Sequence, residues 1–372
     1  MRLEGIDILR GLAVTLVVLY HFFELLGLQH HILYPYISSI GQLGVPLFFI
    51  ISGYLIYRSV DYSISKKGMR AGIKNYFSHR LFRILPAYYV NFIAVFILAF
   101  YFMGTMETWS SAFIQKQIYS HLTFTSYFLY QTSGLGINGA YWTLSIEMLW
   151  YIVAPLFFIF IKKDRYYVVL MLLGFLYFWS IDLGLMDYIF NLQKDAPNYM
   201  AKLFFFSFQL PGQIIYFIAG IFIYKYHVKE TLISKYMLYT LFIILVSTFL
   251  YVSMQNYFLK SFTVRNAFVL FTVASLFMLF YRVKMNELFL LSWLGKISYS
   301  LYLWHMPILF MLKKYFMPYE PSWWSISILF TILLLSISSL SYYFVEESGF
   351  RLRRMLDRKL KKPHINTEVI KK

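Results

Sequence analysis

The 372-residue sequence contains no cysteine, and only 14% of its residues are charged. The absence of cysteine excludes disulfides, thiolate metal sites and a cysteine nucleophile. The low charge, together with 60% hydrophobic residues, excludes an ordinary soluble enzyme and a disordered chain, because soluble domains are about 25% charged. The sequence also lacks a GxxxxGKS/T phosphate loop, a GxGxxG motif after a strand and an HExxH motif, so we expect no metal site.

The sequence consists mostly of continuous apolar runs separated by short polar stretches. A membrane-spanning barrel would alternate apolar and polar residues, whereas runs of about 20 apolar residues match the length of a membrane-spanning helix. The sequence therefore predicts an all-α, polytopic membrane protein with about ten transmembrane helices. These segments run over residues 6–26, 40–57, 84–103, 142–161, 167–186, 207–224, 232–253, 266–281, 297–312 and 324–346.

The net charge of +17 is distributed unevenly between the two sides of this topology. One side holds 27 of the 34 Lys and Arg residues, and the other holds 7. Because cytoplasmic loops are enriched in Lys and Arg, we expect both termini in the cytoplasm and a multi-pass protein of the inner (plasma) membrane. This bias explains the charge without a nucleic-acid partner. Residues 1–350 are predicted as the transmembrane domain and 351–372 as a basic cytoplasmic tail, either bound to anionic membrane lipid or solvated.

Ionisable side chains at membrane depth are costly, so each is a candidate for function. Arg10 and His21 are eleven residues apart, which puts them on one helix face about 16 Å apart along the axis. His21 and Glu147 have similar predicted depths, which indicates an acid/base pair or a polar cavity. Alternatively, each satisfies a separate hydrogen bond between helices. The second interpretation is favoured for the other titratable groups in or beside the segments, namely Glu24, Asp182 and His305.

Arg80 and Arg83 are three residues apart at the predicted start of the third segment. That spacing lets both guanidinium groups face one anion, since residues three apart are neighbours on a helix. The alternative is simple anchoring of the helix at the cytoplasmic surface, which needs no particular spacing. Spacing alone leaves both alternatives open.

Six sequence blocks, in order, resemble the membrane-bound acyltransferase family 3, the family of O-antigen and peptidoglycan O-acetyltransferases. Three residues depart from the family pattern: Thr143 replaces a Ser, Pro46 stands where an Asp is frequent, and Ser348 stands where a Pro is frequent. The resemblance implies a stand-alone form without the fused hydrolase-like domain of some members. The blocks are GIDILRGLAVTLVVLYHFF, GQLGVPLFFIISGYLI, RLFRILPAYY, YWTLSIEMLWY, LGKISYSLYLWHMPI and FVEESGFR.

This resemblance implies transfer of an acyl group, usually acetyl, from acyl-CoA to a hydroxyl of a surface polysaccharide, a lipopolysaccharide or a lipid-linked precursor. We expect His21 to act as the base or as a transient acyl carrier, with Glu147 sharing its site. Arg10, Arg80 and Arg83 are expected to bind the acyl-CoA donor. A transporter or flippase without chemistry is the alternative, and a structural subunit of a glycan-synthesis complex is a third.

Overall fold

The computed structural model describes residues 4–104, 107, 109–133, 137–226, 235–254, 261–282 and 288–360. Within these ranges the chain is helical and forms no strand. Several helices are joined by short helical turns, among them a π-helical turn over Tyr342–Glu346. The helices are α1 (Glu4–Leu25), α2 (Tyr34–Gly41), α3 (Gly44–Lys67), α4 (Met69–Ile97), α5 (Ser111–Leu122), α6 (Tyr130–Ser133), α7 (Tyr141–Phe160), α8 (Asp164–Asp182), α9 (Leu185–Phe190), α10 (Tyr199–Ser207), α11 (Leu210–Tyr226), α12 (Lys235–Met254), α13 (Phe262–Arg282), α14 (Phe289–Lys296), α15 (Ser298–Tyr315), α16 (Trp323–Ser341) and α17 (Glu347–Leu360).

Each of the ten predicted segments overlaps a helix, although residues 232–234 of the seventh segment lie outside the described residues. Across the described ranges, eight helical stretches are long and apolar enough to cross a membrane. The remaining two segments correspond to the shorter apolar stretch Tyr236–Val252 in α12 and to the 18-residue α15. The all-α, multi-pass membrane architecture is therefore confirmed, while the orientation of the termini stays a prediction.

The outer helices expose their apolar side chains, and the central ones bury them. Leu172, Leu173 and Leu176 of α8 and Ile328 and Ile332 of α16 are all at least half exposed. Such faces suit lipid, because hydrocarbon solvates them as well as a protein core does. By contrast, α1, α3 and α11 contribute side chains that are almost fully buried. These three helices form the centre of the bundle.

Two glycines bring the backbones of α3 and α11 into direct contact. A Cβ atom at Gly53 would lie 2.1 Å from the carbonyl oxygen of Phe217, and one at Gly220 would lie 2.2 Å from that of Ile50. Neither position accepts even a methyl group without moving a backbone. This is the close packing that small residues permit between membrane helices, and it fixes α3, which carries several site residues.

The helix that contains the third predicted segment begins much earlier than that segment. α4 starts at Met69 rather than near residue 84, and Pro86 lies inside it. Arg80 and Arg83 therefore lie in the middle of a continuous helix, and the prediction that they lie at a helix start is wrong. A helix can extend out of the membrane with a polar sequence, so an apolar run marks its buried part and not its end.

The C-terminal helix packs against the bundle. Arg353 of α17 is 7% exposed, and its guanidinium donates to Asn75 Oδ1 at 3.1 Å and contacts His79 of α4. The predicted domain boundary at residue 350 falls inside α17. Arg353 is thus buried, whereas Arg351 and Arg354 are exposed. Residues 361–372 lie outside the described residues, and the environment of the basic tail stays a prediction.

Candidate active site

A basic cavity opens at the end of the bundle where α1 begins and where α4 and α17 meet. Cationic residues outnumber acidic ones in its wall, and it holds about 1410 Å³ of empty space, its open mouth included. A concave surface of this charge attracts polyphosphates, since low-dielectric walls concentrate the field. Its cationic residues are Arg10, Arg58, Arg83, Lys296, Arg353 and Arg354, and its acidic ones are Asp7, Glu346 and Glu347.

A central cavity adjoins the basic cavity inside the bundle. Arg10, Leu55 and Arg83 line both, and Arg80 lines the central one, which holds about 730 Å³ of empty space. The structure thus brings together the three arginines that the sequence predicts as donor-binding residues. They come from α1 and α4, so their proximity depends on how these two helices pack and not on the three-residue spacing alone.

The guanidinium group of Arg80 contacts the neighbouring helices α3 and α7. One guanidinium nitrogen donates to the carbonyl oxygen of Leu55 at 3.2 Å, and the guanidinium carbon lies 5.5 Å from the centre of the Tyr151 ring. Its Nε atom is buried and has no hydrogen-bond partner among the described residues. A buried N–H group without a partner is costly, so Arg80 retains a donor that a ligand in the cavity would satisfy.

Glu147 lines the same central cavity. Its Oε1 atom accepts hydrogen bonds from Ser52 Oγ and from the Tyr151 hydroxyl, both at 2.7 Å. These two donors fix the position of the carboxylate. The structure therefore groups Glu147 with the arginines, whereas similar depth predicts that it lies with His21.

His21 lines a third cavity, here called the histidine cavity, of about 1310 Å³ of empty space. It adjoins the central cavity, because Val45 and Tyr302 line both. The Tyr302 hydroxyl also bonds Thr143 Oγ1 at 2.7 Å. The three cavities thus form one series, with the arginines at one end and His21 at the other.

A second histidine lies against His21. His305 of α15 is fully buried, and its Nε2 atom is 3.3 Å from His21 Nδ1. His305 Nδ1 lies 2.7 Å from the Tyr302 carbonyl oxygen, and His21 Nδ1 lies 3.0 Å from that of Val17. The sequence does not predict this pair.

The hydrogen bonds of this pair define its tautomers. A carbonyl oxygen only accepts hydrogen bonds, so the Nδ1 atom of each ring carries the proton. With this assignment His305 Nε2 is unprotonated, and the Nδ1–H group of His21 is shared between the Val17 carbonyl oxygen and His305 Nε2. His21 Nε2 is left unprotonated in a side chain that faces a cavity, which is the arrangement required of a general base.

The other titratable groups of the sequence analysis lie outside these cavities. Both carboxylate oxygens of Asp182 accept backbone N–H groups at the start of α13, from Phe262 at 2.6 Å and Thr263 at 3.0 Å. Its structural role is confirmed. Glu24 accepts from the Tyr34 hydroxyl at 2.6 Å and not from His21.

Arg265 is a cavity residue that sequence reasoning misses. It lies in the first turn of α13 and lines the histidine cavity. The predicted segment begins at residue 266, one residue later, so Arg265 counts as a loop residue in the sequence. A segment starting a few residues earlier would have identified it as a charge at membrane depth.

The fold and the site define a multi-pass membrane protein with internal cavities. Arginines line two of these cavities, and His21 lines the third. Comparison with known proteins identifies the family. The family model described as acyltransferase domain matches residues 3–343, and the chain belongs to this family.

Several relatives are similar over most of this chain. The O-acetyltransferase OatA of Staphylococcus aureus (strain NCTC 8325 / PS 47) is 27% identical over 384 residues, covering 96% of this chain and 59% of OatA. A putative O-acetyltransferase of S. aureus (strain COL) is 26% identical, covering 92% of this chain and 56% of that protein. A putative acetyltransferase of Acidianus two-tailed virus is 31% identical, covering 80% and 81%. The chain thus spans less than three fifths of the two S. aureus proteins, and no solved structure matches it.

Proposed function

We propose that this protein is an O-acetyltransferase of the plasma (inner) membrane. It takes an acetyl group from acetyl-CoA at the cytoplasmic face and transfers it to a hydroxyl of an envelope glycan or its lipid-linked precursor. The observation that carries this proposal is the series of adjoining cavities from the arginines to His21, in which neighbouring cavities share lining residues. Membership of the acyltransferase domain family and similarity to O-acetyltransferases support it.

The donor binds through its phosphates in the basic cavity. CoA is a polyanion, and guanidinium groups match phosphate oxygens in a bidentate geometry that ammonium groups do not. Arg10 and Arg83 line both the basic and the central cavity, so a donor held there extends its acyl end inward. Both termini are cytoplasmic in this proposal, which puts the basic cavity on the side where acyl-CoA is found.

The reaction takes place where the central and histidine cavities meet. His21 Nε2 removes the proton of the acceptor hydroxyl, and the hydroxyl oxygen attacks the thioester carbonyl carbon. The new C–O bond forms as the C–S bond breaks, and the leaving CoA thiolate takes the proton from His21, which restores the base. A sugar hydroxyl needs such a base, because it is a weak nucleophile at neutral pH.

Glu147 acts on the donor side of this reaction. Its carboxylate, held by Ser52 and Tyr151, faces the cavity that the arginines share. There it accepts a hydrogen bond from an N–H group of the pantetheine arm and so positions the thioester. This assigns Glu147 a positioning role close to the donor.

The test uses purified protein, acetyl-CoA labelled in the acetyl group, and lipid-linked or polymeric glycan from an envelope preparation. Wild type should release CoA and label the glycan, and His21→Ala should do neither while remaining folded. His30→Ala is the matched control, because His30 is an exposed histidine near the end of the same helix. If wild type releases no CoA, or if His21→Ala keeps near-normal transfer, the proposal fails. Retained glycolipid movement in His21→Gln, without acetylation in wild type, would favour the transporter.

A further inference from the structure

The wall of the histidine cavity carries a cationic side chain that has no role in the proposed chemistry. Arg265 lines this cavity together with His21. One guanidinium nitrogen donates to Gln42 Oε1 at 2.8 Å, and the guanidinium carbon lies 5.7 Å from the centre of the Phe204 ring. These contacts fix the direction of a planar group that has five N–H donors. A fixed guanidinium group therefore lies in the wall of the cavity that contains the proposed base.

The rest of the cavity wall suits a sugar ring. Aromatic side chains offer flat apolar faces, and amide side chains offer hydrogen bonds. The amide of Asn266 is already oriented, since it accepts from the Tyr216 hydroxyl at 2.7 Å and donates to the Phe262 carbonyl oxygen at 2.7 Å. The aromatic residues are Tyr20, Trp142, Phe204, Phe208, Tyr216 and Tyr302.

The charge of the cavity indicates which sugars bind. Of the described residues that line it, none is Asp or Glu, so the field inside favours an anion. A cation at membrane depth is costly and marks a substrate path. Guanidinium groups bind carboxylate and phosphate in the same bidentate geometry.

We infer that the acceptor is an acidic saccharide, whose carboxylate or phosphate group is bound by Arg265 while the hydroxyl to be acylated lies against His21. This inference rests on the proposed function, because it names the acceptor of that transfer. It goes further in requiring that charge, and not only hydroxyl position, selects the acceptor.

The first experiment measures the charge preference of the cavity without any turnover. The wild-type chain has no cysteine, so Pro46→Cys supplies a single thiol in the wall of the histidine cavity. This thiol is labelled with two methanethiosulfonate reagents, the anionic sulfonatoethyl and the cationic trimethylammonioethyl derivative. The two labelling rates are compared with those of Asn198→Cys, whose thiol lies on an exposed loop. Methyl methanethiosulfonate, which is neutral and small, provides the reference for access to each thiol.

We expect the ratio of the anionic to the cationic labelling rate to be roughly tenfold higher at position 46 than at position 198. A tenfold difference is about the effect of one nearby charge at a dielectric constant between those of protein and water. Arg265→Gln should remove this preference, and Arg265→Lys should keep most of it. Arg165→Gln, which removes an exposed arginine elsewhere, should leave it unchanged. An equal ratio at both thiols, a ratio that Arg265→Gln does not alter, or a thiol at position 46 that no charged reagent reaches would overturn the inference.

The second experiment identifies the acidic group with matched acceptors. Galacturonic acid is compared with its methyl ester, and galactose 1-phosphate with galactose, as acceptors from acetyl-CoA and as protectants of the Pro46→Cys thiol. The acidic member of at least one pair should be preferred by roughly tenfold, and Arg265→Gln should raise KM for that member alone. Equal use of both members of both pairs would refute the inference. An anion-selective thiol in a protein that releases no CoA would instead contradict the proposed function alone.

Discussion

Replacing His305 should slow acetyl transfer without weakening acetyl-CoA binding. His305 contacts the proposed base His21 and is not among the residues lining the basic or central cavity. It is therefore a positioning residue, which acts by holding the His21 ring and by accepting its Nδ1–H group. His305→Leu removes this acceptor and keeps an apolar volume. His305→Gln retains an oxygen that accepts a hydrogen bond at a similar reach.

The size of the effect follows from the charge that His21 gains. When His21 takes the hydroxyl proton, its Nδ1–H becomes part of an imidazolium, and a hydrogen bond from a charged donor contributes about 1.5–3 kcal/mol. At about 1.4 kcal/mol per tenfold in rate, His305→Leu should lower kcat roughly 10- to 150-fold. The Nε2–Nδ1 distance of 3.3 Å is long for a hydrogen bond, which favours the lower end. His305→Gln should recover much of this loss.

The assay measures kcat and KM for acetyl-CoA separately, from CoA release by purified protein at saturating acceptor. kcat should fall in the order wild type, His305→Gln, His305→Leu, and KM for acetyl-CoA should stay within about twofold. His121→Leu is the matched control, because His121 is also a buried histidine and lines none of the three cavities. If His305→Leu keeps more than half of the wild-type kcat, or if the Gln variant is no better than the Leu variant, the positioning role is refuted.

Four further outcomes are expected. Arg80→Lys keeps the charge but should weaken acetyl-CoA binding roughly tenfold by calorimetry, since ammonium lacks the guanidinium fork, while Lys66→Gln should change it little. Glu147→Gln should lower kcat and leave the fold intact. If the activity of this variant equals that of the wild type, the carboxylate has no role in the reaction. Asp182→Ala should reduce the free energy of unfolding by about 1–2 kcal/mol, measured in detergent, because it removes a helix cap. Burial lowers the pKa of His121 to about 4, so the unfolded chain binds its proton first as pH falls. Stability should then drop on the order of 1 kcal/mol between pH 7.5 and 5.5, a dependence that His121→Gln should abolish.

The membrane-spanning segments are predictable from sequence, because the hydrocarbon core of the membrane sets the same requirement for every segment. A spanning helix must be apolar for about 20 residues, and all ten predicted segments overlap helices of the structure. This requirement fixes only the part of a helix inside the membrane. It does not limit how far a helix continues into water, which is why the start of α4 at Met69 is not predicted from the apolar run that begins near residue 84.

The arginines of the site are predicted from spacing and from the family resemblance together. The three-residue spacing of Arg80 and Arg83 lets both face one anion but equally allows simple anchoring, and the resemblance implies donor binding by these two residues and Arg10. Their convergence on one cavity depends on packing between α1 and α4. That packing is set by small and large side chains along whole helices, and no short motif encodes it.

The separation of Glu147 from His21 has a geometric cause. Counting residues from the end of a predicted segment gives the depth of a side chain, which is one coordinate of three. Two groups at equal depth still differ in the helix face that carries them and in the cavity that this face meets. Glu147 faces the central cavity from α7, and His21 faces the histidine cavity from α1. The contact of His21 with His305 arises in the same way, since α1 and α15 are brought together across 284 residues of sequence. Depth alone therefore identifies which groups are able to act in the membrane, and the lateral packing of the helices decides which of them act together.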